Sequence, residues 1–385
     1  MLASFSPGAV AAPHHFMAIA KPKLLVVVKE RFWDCARGSS IRISLLLHQL
    51  SNDYEIELFC LRRLTPKDFE ELRKNLPTGK LRFSLPAIWS PGIIGAALLR
   101  RLRHRPDTAR PASSQPGNVK DWMISESLRR TLNKGSYAVV LCEYIWTAKF
   151  LNPATLDTMP ADRWLDTHDI MHLRHASSQN VGITVKIPLA LDEETKFFRD
   201  FSRLIAIQNE EAVILKQMAP GKEVVTIPVI PRVESSRFPR PPTFSTGAPC
   251  LLHVSSSGKI ANHSLRWFLV HVWPAVIAAR PDAQLHVLGS ICNSFKNESL
   301  PNTIFHGFVE NLAPYYQHAI LSINPCLAGS GLKIKTVEAL AYDQVVVTTP
   351  FGAQGIDPAP AKLMVREPDQ FLQGVLQALE PLPIA

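Results

Sequence analysis

The sequence lacks three features that would each point to a particular class of protein. Its six cysteines are isolated, with no C-x-x-C pair, so neither a disulfide framework nor a zinc site is predicted, and buried thiols in a reducing compartment are expected. No apolar run reaches the roughly 18 to 20 residues that a membrane-spanning helix needs. Residues 1–20 have no basic segment followed by a long apolar core, so they are predicted to be a disordered lead and not a signal peptide.

The composition is that of a folded protein with an excess of positive charge. Of the 385 residues, 46% are hydrophobic and 19% are charged, and the chain is too long for one ordinary core, which favours two domains. The formal net charge of +9 favours anionic partners such as nucleic acid, anionic lipid or phosphorylated substrates. Charge alone does not choose among these partners.

Short apolar runs alternate with amphipathic stretches along nearly the whole chain. Unbroken runs such as LLVVV and QVVVTT are typical of strands buried on both faces, so the alternation predicts an α/β fold with doubly wound parallel sheets. A proline-rich linker over residues 229–249 is predicted to separate an N-terminal domain, 21–228, from a C-terminal domain, 250–385. Ligands of such folds bind at the carboxyl ends of the strands, so the two domains are expected to face each other across a cleft.

Twelve strands and six helices are assigned from this pattern. The strands are predicted at residues 24–28, 56–61, 139–141, 164–166, 204–207, 224–227, 251–254, 284–288, 303–305, 321–324, 345–348 and 363–365. The helices are predicted at residues 39–50, 120–132, 193–201, 210–218, 262–279 and 332–341.

Residues 91–118 interrupt the alternation with a basic insertion. The segment begins as a short apolar-then-basic helix with several arginines and ends as a polar loop rich in proline and serine. This composition suits the surface of an anionic membrane. A domain helix with a solvated basic end is the alternative.

The segment from Leu321 to Thr348 predicts a βαβ unit with a ligand-binding turn. Gly329-Ser330-Gly331 lies between the strand and the helix, where free N–H groups and the positive end of the helix dipole suit a phosphate. Lys333 adds positive charge, and Glu338 can accept hydrogen bonds from vicinal hydroxyls. A phosphate and a diol together describe a nucleotide or nucleotide sugar, whereas a glycine-rich turn that merely packs is the alternative.

Four segments between residues 251 and 356 resemble the family 4 (group 1) glycosyltransferases of GT-B fold. They are HVSSSGKIANHSLRWF, PDAQLHVLGS, FHGFVENLAPYYQHAILSINP and AGSGLKIKTVEALAYDQVVVTTPFGAQGI, in that order. The resemblance implies two Rossmann-like domains facing across a cleft, with the nucleotide sugar bound mainly by the C-terminal domain and the acceptor by the N-terminal domain. It also implies that no metal or other cofactor is required.

The resemblance assigns roles to individual residues around the nucleotide sugar. Glu338 corresponds to the ribose ligand, Ser330 stands where the family has a glutamate that touches the sugar, and Lys259 and Lys333 are candidates to compensate the diphosphate. The full set of expected donor-binding residues is Gly38, Ser257, Lys259, Gly329, Ser330, Gly331, Leu332, Lys333, Glu338 and Gly352.

Three residues are expected to take part in catalysis. His168 resembles the N-domain histidine that reaches the donor sugar, Lys259 is expected to act on the leaving diphosphate, and Glu143, at a strand end, is placed to act as a base. Asp166 and Asp169 offer only a lone D-x-x-D, so no metal ligand is predicted.

The predicted function is transfer of a sugar from a nucleoside diphosphate sugar to a hydroxyl acceptor, with retention and without a metal, in envelope polysaccharide or glycolipid synthesis. The expected partners are the nucleotide sugar, a glycan or lipid-linked acceptor and an anionic membrane, at the cytoplasmic face of the plasma membrane. The alternatives are a sugar-nucleotide epimerase of the same fold and a non-catalytic protein that binds a glycan or a partner. Nucleic acid is not an expected partner, because no motif that reads DNA or RNA accompanies the charge.

Overall fold

The structure is a computed structural model that describes residues 20–34, 37–62, 64–75, 82–84, 93, 119–185, 188–231, 233–356 and 360–380. Its strands form two separate parallel sheets with helices between successive strands, which confirms the predicted α/β fold. We call the part built on the first sheet the N-terminal lobe and the part built on the second sheet the C-terminal lobe.

The sheet of the N-terminal lobe has seven strands in the order β3-β2-β1-β4-β5-β6-β7. Its strands are β1 (Lys23–Val28), β2 (Glu55–Cys60), β3 (Arg82–Ser84), β4 (Val139–Glu143), β5 (Asp162–Asp166), β6 (Arg203–Ala206) and β7 (Glu223–Thr226). The five residues from Leu24 to Val28 are buried because helices cover both faces of the central strand.

The sheet of the C-terminal lobe has six strands in the order β10-β9-β8-β11-β12-β13. Its strands are β8 (Cys250–Val254), β9 (Gln284–Leu288), β10 (Thr303–Gly307), β11 (Leu321–Asn324), β12 (Val345–Thr348) and β13 (Leu363–Val365).

The helices with assigned bounds are numbered in chain order. They are α1 (Gly38–Leu50), α2 (Pro66–Asn75), α3 (Val119–Lys134), α4 (Pro153–Leu156), α5 (Met171–Asn180), α6 (Leu191–Phe198), α7 (Asn209–Met218), α8 (Lys259–His271), α9 (Trp273–Ala279), α10 (Ala313–His318), α11 (Ile334–Ala341), α12 (Pro350–Ala353) and α13 (Phe371–Leu379).

All twelve predicted strands are present, and the differences concern one edge strand and several helices; α2 and α5, for example, were not predicted. The edge strand β3 was not predicted, because three residues that include Arg82 carry no apolar pattern. The helix predicted over 262–279 is two helices, since Pro274 lies in the first turn of α9 and cannot continue the hydrogen bonds of α8. The helix predicted from residue 332 begins at Ile334, after Lys333 in a non-helical conformation.

The segment between the two sheets follows the surface of the C-terminal lobe. The backbone N–H of Phe238 donates to Gln317, and Phe244 is buried in a core cluster of that lobe. A second apolar cluster joins the lobes, with Ile207 and Val229 packed against Ile334.

Two predictions fall on parts of the chain that are not described. The basic insertion 91–118, apart from Ile93, and the lead up to residue 19 lie outside the described residues. Within the described ranges, no helix combines the length and the apolar character that crossing a membrane requires.

Candidate active site

The carboxyl edge of the N-terminal sheet brings together two residues expected to take part in catalysis, Glu143 and His168, and a third polar residue, Asp166. Glu143 ends β4 and Asp166 ends β5, and the two strands are paired in register, so both side chains reach the same edge, with His168 two residues further on. Tyr144 and His168 both have positive φ angles, 68° and 61°, in a region that residues with side chains rarely adopt. Such strain concentrates at functional sites.

His168 is the centre of a buried network. Its Nε2 lies 2.8 Å from Oε2 of Glu143 and 3.3 Å from Oδ2 of Asp166, and the Tyr144 ring stacks on the imidazole with centroids 3.7 Å apart. Nδ1 of His168 has no hydrogen-bond partner among the described residues. The structure therefore brings two of the expected catalytic residues, His168 and Glu143, into direct contact and leaves Nδ1 of the imidazole for a ligand.

Arg42, on α1, was not predicted to belong to this site. Its guanidinium makes two hydrogen bonds to Asp166, of 3.1 and 3.0 Å, and a third to the carbonyl of Ile227, and the side chain is 1% exposed. A bidentate pair of this kind fixes the carboxylate in position. The sequence did carry a signal for its burial, because Arg42 lies beside Ile43 on the apolar stripe of α1.

The electrostatics of the network favour a charged imidazole. Burial opposes the charge, but the carboxylates of Asp166 and Glu143 outweigh it and raise the pKa of His168. Burial also favours a neutral carboxyl at Asp166, yet Arg42 and His168 hold its pKa below the usual range. Burial, followed by the charge of Asp166, raises the pKa of Glu143 to about 7. The fixed charge of Asp166 therefore favours a protonated imidazole, with Glu143 as its nearest hydrogen-bond acceptor.

Glu143, Asp166 and His168 could together bind a cation. Each offers one ligand atom, and these three atoms lie within 4.8 Å of one another. Arg42 already occupies both oxygens of Asp166 and supplies positive charge there. The expectation that no metal takes part stays a prediction.

The Gly329-Ser330-Gly331 turn lies between the lobes, but its polar groups contact protein. The hydroxyl of Ser177, on α5, accepts a hydrogen bond of 2.9 Å from the Gly329 N–H, and the hydroxyl of Ser330 donates one of 3.0 Å to the carbonyl of Ile170. A Cβ on Gly331, where φ is +73°, would lie 2.6 Å from Oδ1 of Asp169 and 3.2 Å from Oε1 of Glu211. In this arrangement Ser330 therefore binds the N-terminal lobe.

The two lysines expected near the diphosphate also contact carbonyl groups. Nζ of Lys333 folds back on its own turn, 2.7 Å from the Gly331 carbonyl and 3.1 Å from that of Ser330. Nζ of Lys259 reaches across the cleft to the carbonyl of Thr184 at 2.9 Å, and the residue is exposed. Both ammonium groups lie at the crevice, held by neutral acceptors that an anion can replace.

Glu338, the residue expected to bind the ribose, lies on α11 and is held by side chains of its own lobe. Oε2 of Glu338 accepts hydrogen bonds from Lys335 at 2.5 Å and from the hydroxyl of Tyr316 at 3.3 Å, and its side chain is 17% exposed. Among the described residues, none accepts a hydrogen bond from the backbone N–H groups of Leu332 or Ile334. These N–H groups and the positive end of α11 remain able to bind an anion.

Three expected ligands occupy different environments. A Cβ on Gly38, at the start of α1, would lie 3.4 Å from the side chain of Ile334, so this glycine faces the first residue of α11 in the other lobe. The N–H of Ser257 is 3.0 Å from Oγ of Ser290, within its own lobe. The N–H of Gly352 bonds to Thr349, and the glycine is buried, so this N–H is not free to bind a phosphate.

Glu211, on α7, is a further buried acid at the crevice that the sequence pattern did not reveal. Its side chain is 2% exposed, Oε2 accepts a hydrogen bond of 3.3 Å from the Ile207 N–H, and Oε1 is buried with no partner among the described residues. Burial and then the charge of Asp169 raise its pKa to about 8. Glu211 is therefore mostly a neutral acid at pH 7.

Comparison with known proteins agrees with this architecture. Residues 248–381 match the family model described as glycosyl transferases group 1. An uncharacterized 44.6 kDa protein in the cps region of Klebsiella pneumoniae is 30% identical over 118 residues, which is 28% of this chain and 30% of that protein.

Solved structures of similar fold cover nearly the whole chain at low sequence identity. HepE from Anabaena, solved in complex with UDP-glucose, has a TM-score of 0.61 and 12% identity over 93% of this chain and 88% of its own. A glycosyltransferase from Rickettsia africae has a TM-score of 0.58 and 11% identity over 93% of this chain and 89% of its own. By sequence, residues 248–381 match the model of the group 1 glycosyl transferases, and the chain as a whole has the GT-B fold of solved glycosyltransferases.

Proposed function

We propose that this protein transfers a sugar from a nucleoside diphosphate sugar to a hydroxyl acceptor. The observation that carries the proposal is the meeting of two sets of groups in one crevice. The C-terminal lobe presents the start of α11 and Glu338, while the N-terminal lobe presents His168 on its buried acids. The complex of HepE with UDP-glucose supports a nucleotide sugar as the first ligand to test.

In the proposed reaction the free backbone N–H groups at the start of α11 bind the diphosphate, and Glu338 exchanges its bond to Lys335 for hydroxyls of the ribose. Lys259 and Lys333 leave their carbonyl partners and compensate the charge that develops on the departing diphosphate. Glu143 and Asp166 keep the imidazole of His168 charged, and its Nδ1–H donates a hydrogen bond to the sugar or to the leaving group. We propose that this transfer needs no metal and retains the anomeric configuration.

Glu143 is proposed to act through His168 and not as a free base. The carboxyl is fully buried and already bonded to the imidazole at 2.8 Å, so an acceptor hydroxyl cannot reach it without displacing His168. The departing diphosphate oxygen is then the group that takes the acceptor proton. This assignment modifies the prediction that Glu143 acts as a base.

The acceptor is proposed to be a glycan or a lipid-linked glycan of an envelope polysaccharide. The similarity to a protein in the cps region of Klebsiella pneumoniae supports this class of product. The basic insertion 91–118 is proposed to hold the enzyme on an anionic membrane at the cytoplasmic side, where lipid-linked acceptors are found.

The test begins with binding and continues with transfer. Thermal stabilisation by a panel of UDP-, GDP- and ADP-sugars identifies the nucleotide, and a labelled donor is then incubated with and without acceptor glycans. Conversion of the labelled sugar without any acceptor would identify an epimerase, and absence of affinity for every nucleoside diphosphate would identify a non-catalytic protein.

Glu338→Ala is the matching variant. We expect at least a tenfold loss of affinity for the nucleotide sugar, measured by calorimetry, because two hydroxyl contacts to a carboxylate are removed. The exposed Glu310, replaced by alanine, is the control. Unchanged affinity in Glu338→Ala would contradict the assigned site.

A further inference from the structure

The Gly329-Ser330-Gly331 turn is attached to the N-terminal lobe at two points. The first is Ser177, whose hydroxyl oxygen accepts from the Gly329 N–H at 2.9 Å and lies 3.1 Å from the Gly329 carbonyl. The second is Ser330, whose hydroxyl donates to the Ile170 carbonyl at 3.0 Å. Each contact joins residues more than 150 positions apart in the chain, and both serines are buried.

These two contacts connect the parts of the crevice that the reaction must bring into register. On one side, Ile170 and Ser177 belong to the loop and helix that directly follow His168. On the other side, the turn leads through Lys333 into the first turn of α11, where the diphosphate is proposed to bind. A displacement of the turn relative to α5 therefore displaces the phosphate site relative to the imidazole.

The glycine at position 331 makes this close contact possible. A side chain there would meet Oδ1 of Asp169 at 2.6 Å and the His168 carbonyl at 3.1 Å, so only glycine lets the turn approach the loop before α5 this closely. Asp169 is itself held by Arg174 at 2.6 Å, which limits its ability to move aside.

We propose that Ser177 and Ser330 are positioning residues that latch the two lobes together in the reactive arrangement. The latch sets the distance between His168 and the diphosphate site, and it opens to admit the nucleotide sugar. The resemblance places a sugar-binding glutamate at position 330, but in this chain Ser330 forms a contact between the lobes. The effect of the latch on turnover rests on the proposed function, whereas the existence of the contact between the lobes does not.

Ser178 provides a matched control for Ser177. It is the next residue of the same helix, it is fully buried, and its hydroxyl donates only to the Arg174 carbonyl, 2.7 Å away within that helix. Ser177→Ala and Ser178→Ala therefore remove the same atom from neighbouring buried positions, and only the first removes a bond to the other lobe.

The first measurement is amide hydrogen exchange of the unliganded protein, resolved to the peptide that contains Gly329. Because the Gly329 N–H loses its acceptor, we expect Ser177→Ala to exchange at least about fivefold faster at that amide. Ser178→Ala should match the wild type, and Ser177→Thr, which keeps a hydroxyl, should restore slow exchange. Ser330→Ala is a second variant, which removes only the hydroxyl that bonds to the Ile170 carbonyl, and it should also accelerate exchange. Unchanged exchange in both Ser177→Ala and Ser330→Ala would overturn the latch.

The second measurement separates the latch from the proposed function. With an active donor and acceptor, Ser177→Ala should lower kcat about tenfold while the affinity for the nucleotide sugar, from calorimetry, changes less than threefold. A loss confined to affinity would overturn the positioning role. If the wild type itself transfers no sugar, the proposed function fails, and the exchange measurement still decides whether the latch exists.

Discussion

The buried acid Glu211 makes a quantitative prediction about stability and pH. The ordinary pKa of 4.5 applies to the unfolded chain, whereas burial and then the charge of Asp169 raise the pKa to about 8 in the folded protein. Below pH 4.5 both states hold the proton, and the folded protein has the full benefit of the neutral side chain. Between pH 4.5 and 8 only the unfolded chain releases the proton, so the free energy of unfolding falls as pH rises.

The size of this effect follows from the two pKa values. Each pH unit in that interval lowers the free energy of unfolding by about 1.4 kcal/mol, so the whole interval corresponds to roughly 5 kcal/mol. Glu211→Gln removes the titration and keeps the shape. The glutamine oxygen can accept from the Ile207 N–H, and its amide group can point towards Asp169. We therefore expect wild type and variant to be similar near pH 4 and the variant to be more stable at pH 8 by several kcal/mol.

Urea unfolding followed by circular dichroism, repeated from pH 4 to pH 9, measures the difference between the two proteins. Glu210→Gln is the control, because Glu210 is the preceding residue of the same helix and is exposed, and it should reproduce the wild-type pH dependence. A difference between Glu211→Gln and wild type that stays constant over the whole pH range would refute the reasoning. A variant that is less stable at pH 8 would refute it as well.

Two further variants test the structure of the crevice. Arg42→Met leaves the buried carboxylate of Asp166 without its guanidinium, so the free energy of unfolding, measured in urea, should fall by about 3 to 5 kcal/mol. Arg42→Met combined with Asp166→Asn should recover part of the loss. A loss below about 1 kcal/mol in the single variant would contradict the assigned pair. Gly331→Ala should speed hydrogen exchange around residues 329–332 by tenfold or more, because its Cβ would collide with Asp169. Gly182 has nearly the same φ, +70°, and a Cβ there would meet nothing within 4 Å, so Gly182→Ala measures the effect of the backbone conformation alone on exchange around its own position. Equal acceleration of exchange around the substituted residue in the two variants would exclude the collision.

The sequence was informative wherever the determining interactions are local. Apolar runs such as Leu24–Val28 define their own strands, since a parallel strand buried on both faces needs an unbroken series of apolar residues. The same rule placed Glu143 and His168 at strand ends, and the parallel sheet then brought them to one edge. Gly38 was expected to pass close to the donor diphosphate, and its nearest neighbour across the crevice is Ile334, the first residue of α11.

The contacts of the individual polar groups were not predictable from the pattern. Ser330 was expected near the sugar, but its hydroxyl bonds to a carbonyl 160 positions away, and the choice between these partners depends on how the lobes pack. Arg42 and Asp166 are separated by 124 positions, and Glu211 stands in a run of acidic residues typical of a solvated helix start. Helix α5 was missed because its sequence, MHLRHASSQN, is mostly polar and has no apolar stripe.

The route of the chain between the two sheets restricts how the lobes can swing apart. Arg42 ties the Ile227 carbonyl to the N-terminal lobe, and Tyr342 ties the Glu234 N–H to the C-terminal lobe by a bond of 3.3 Å. We therefore expect any rotation of the lobes to pivot between Ile227 and Glu234, a part of the sequence in which Pro228 and Pro231 each fix one backbone torsion. An isolated C-terminal lobe that keeps the native contacts of Glu234 and Phe238 consequently has to start before Glu234 instead of at the first strand of its sheet.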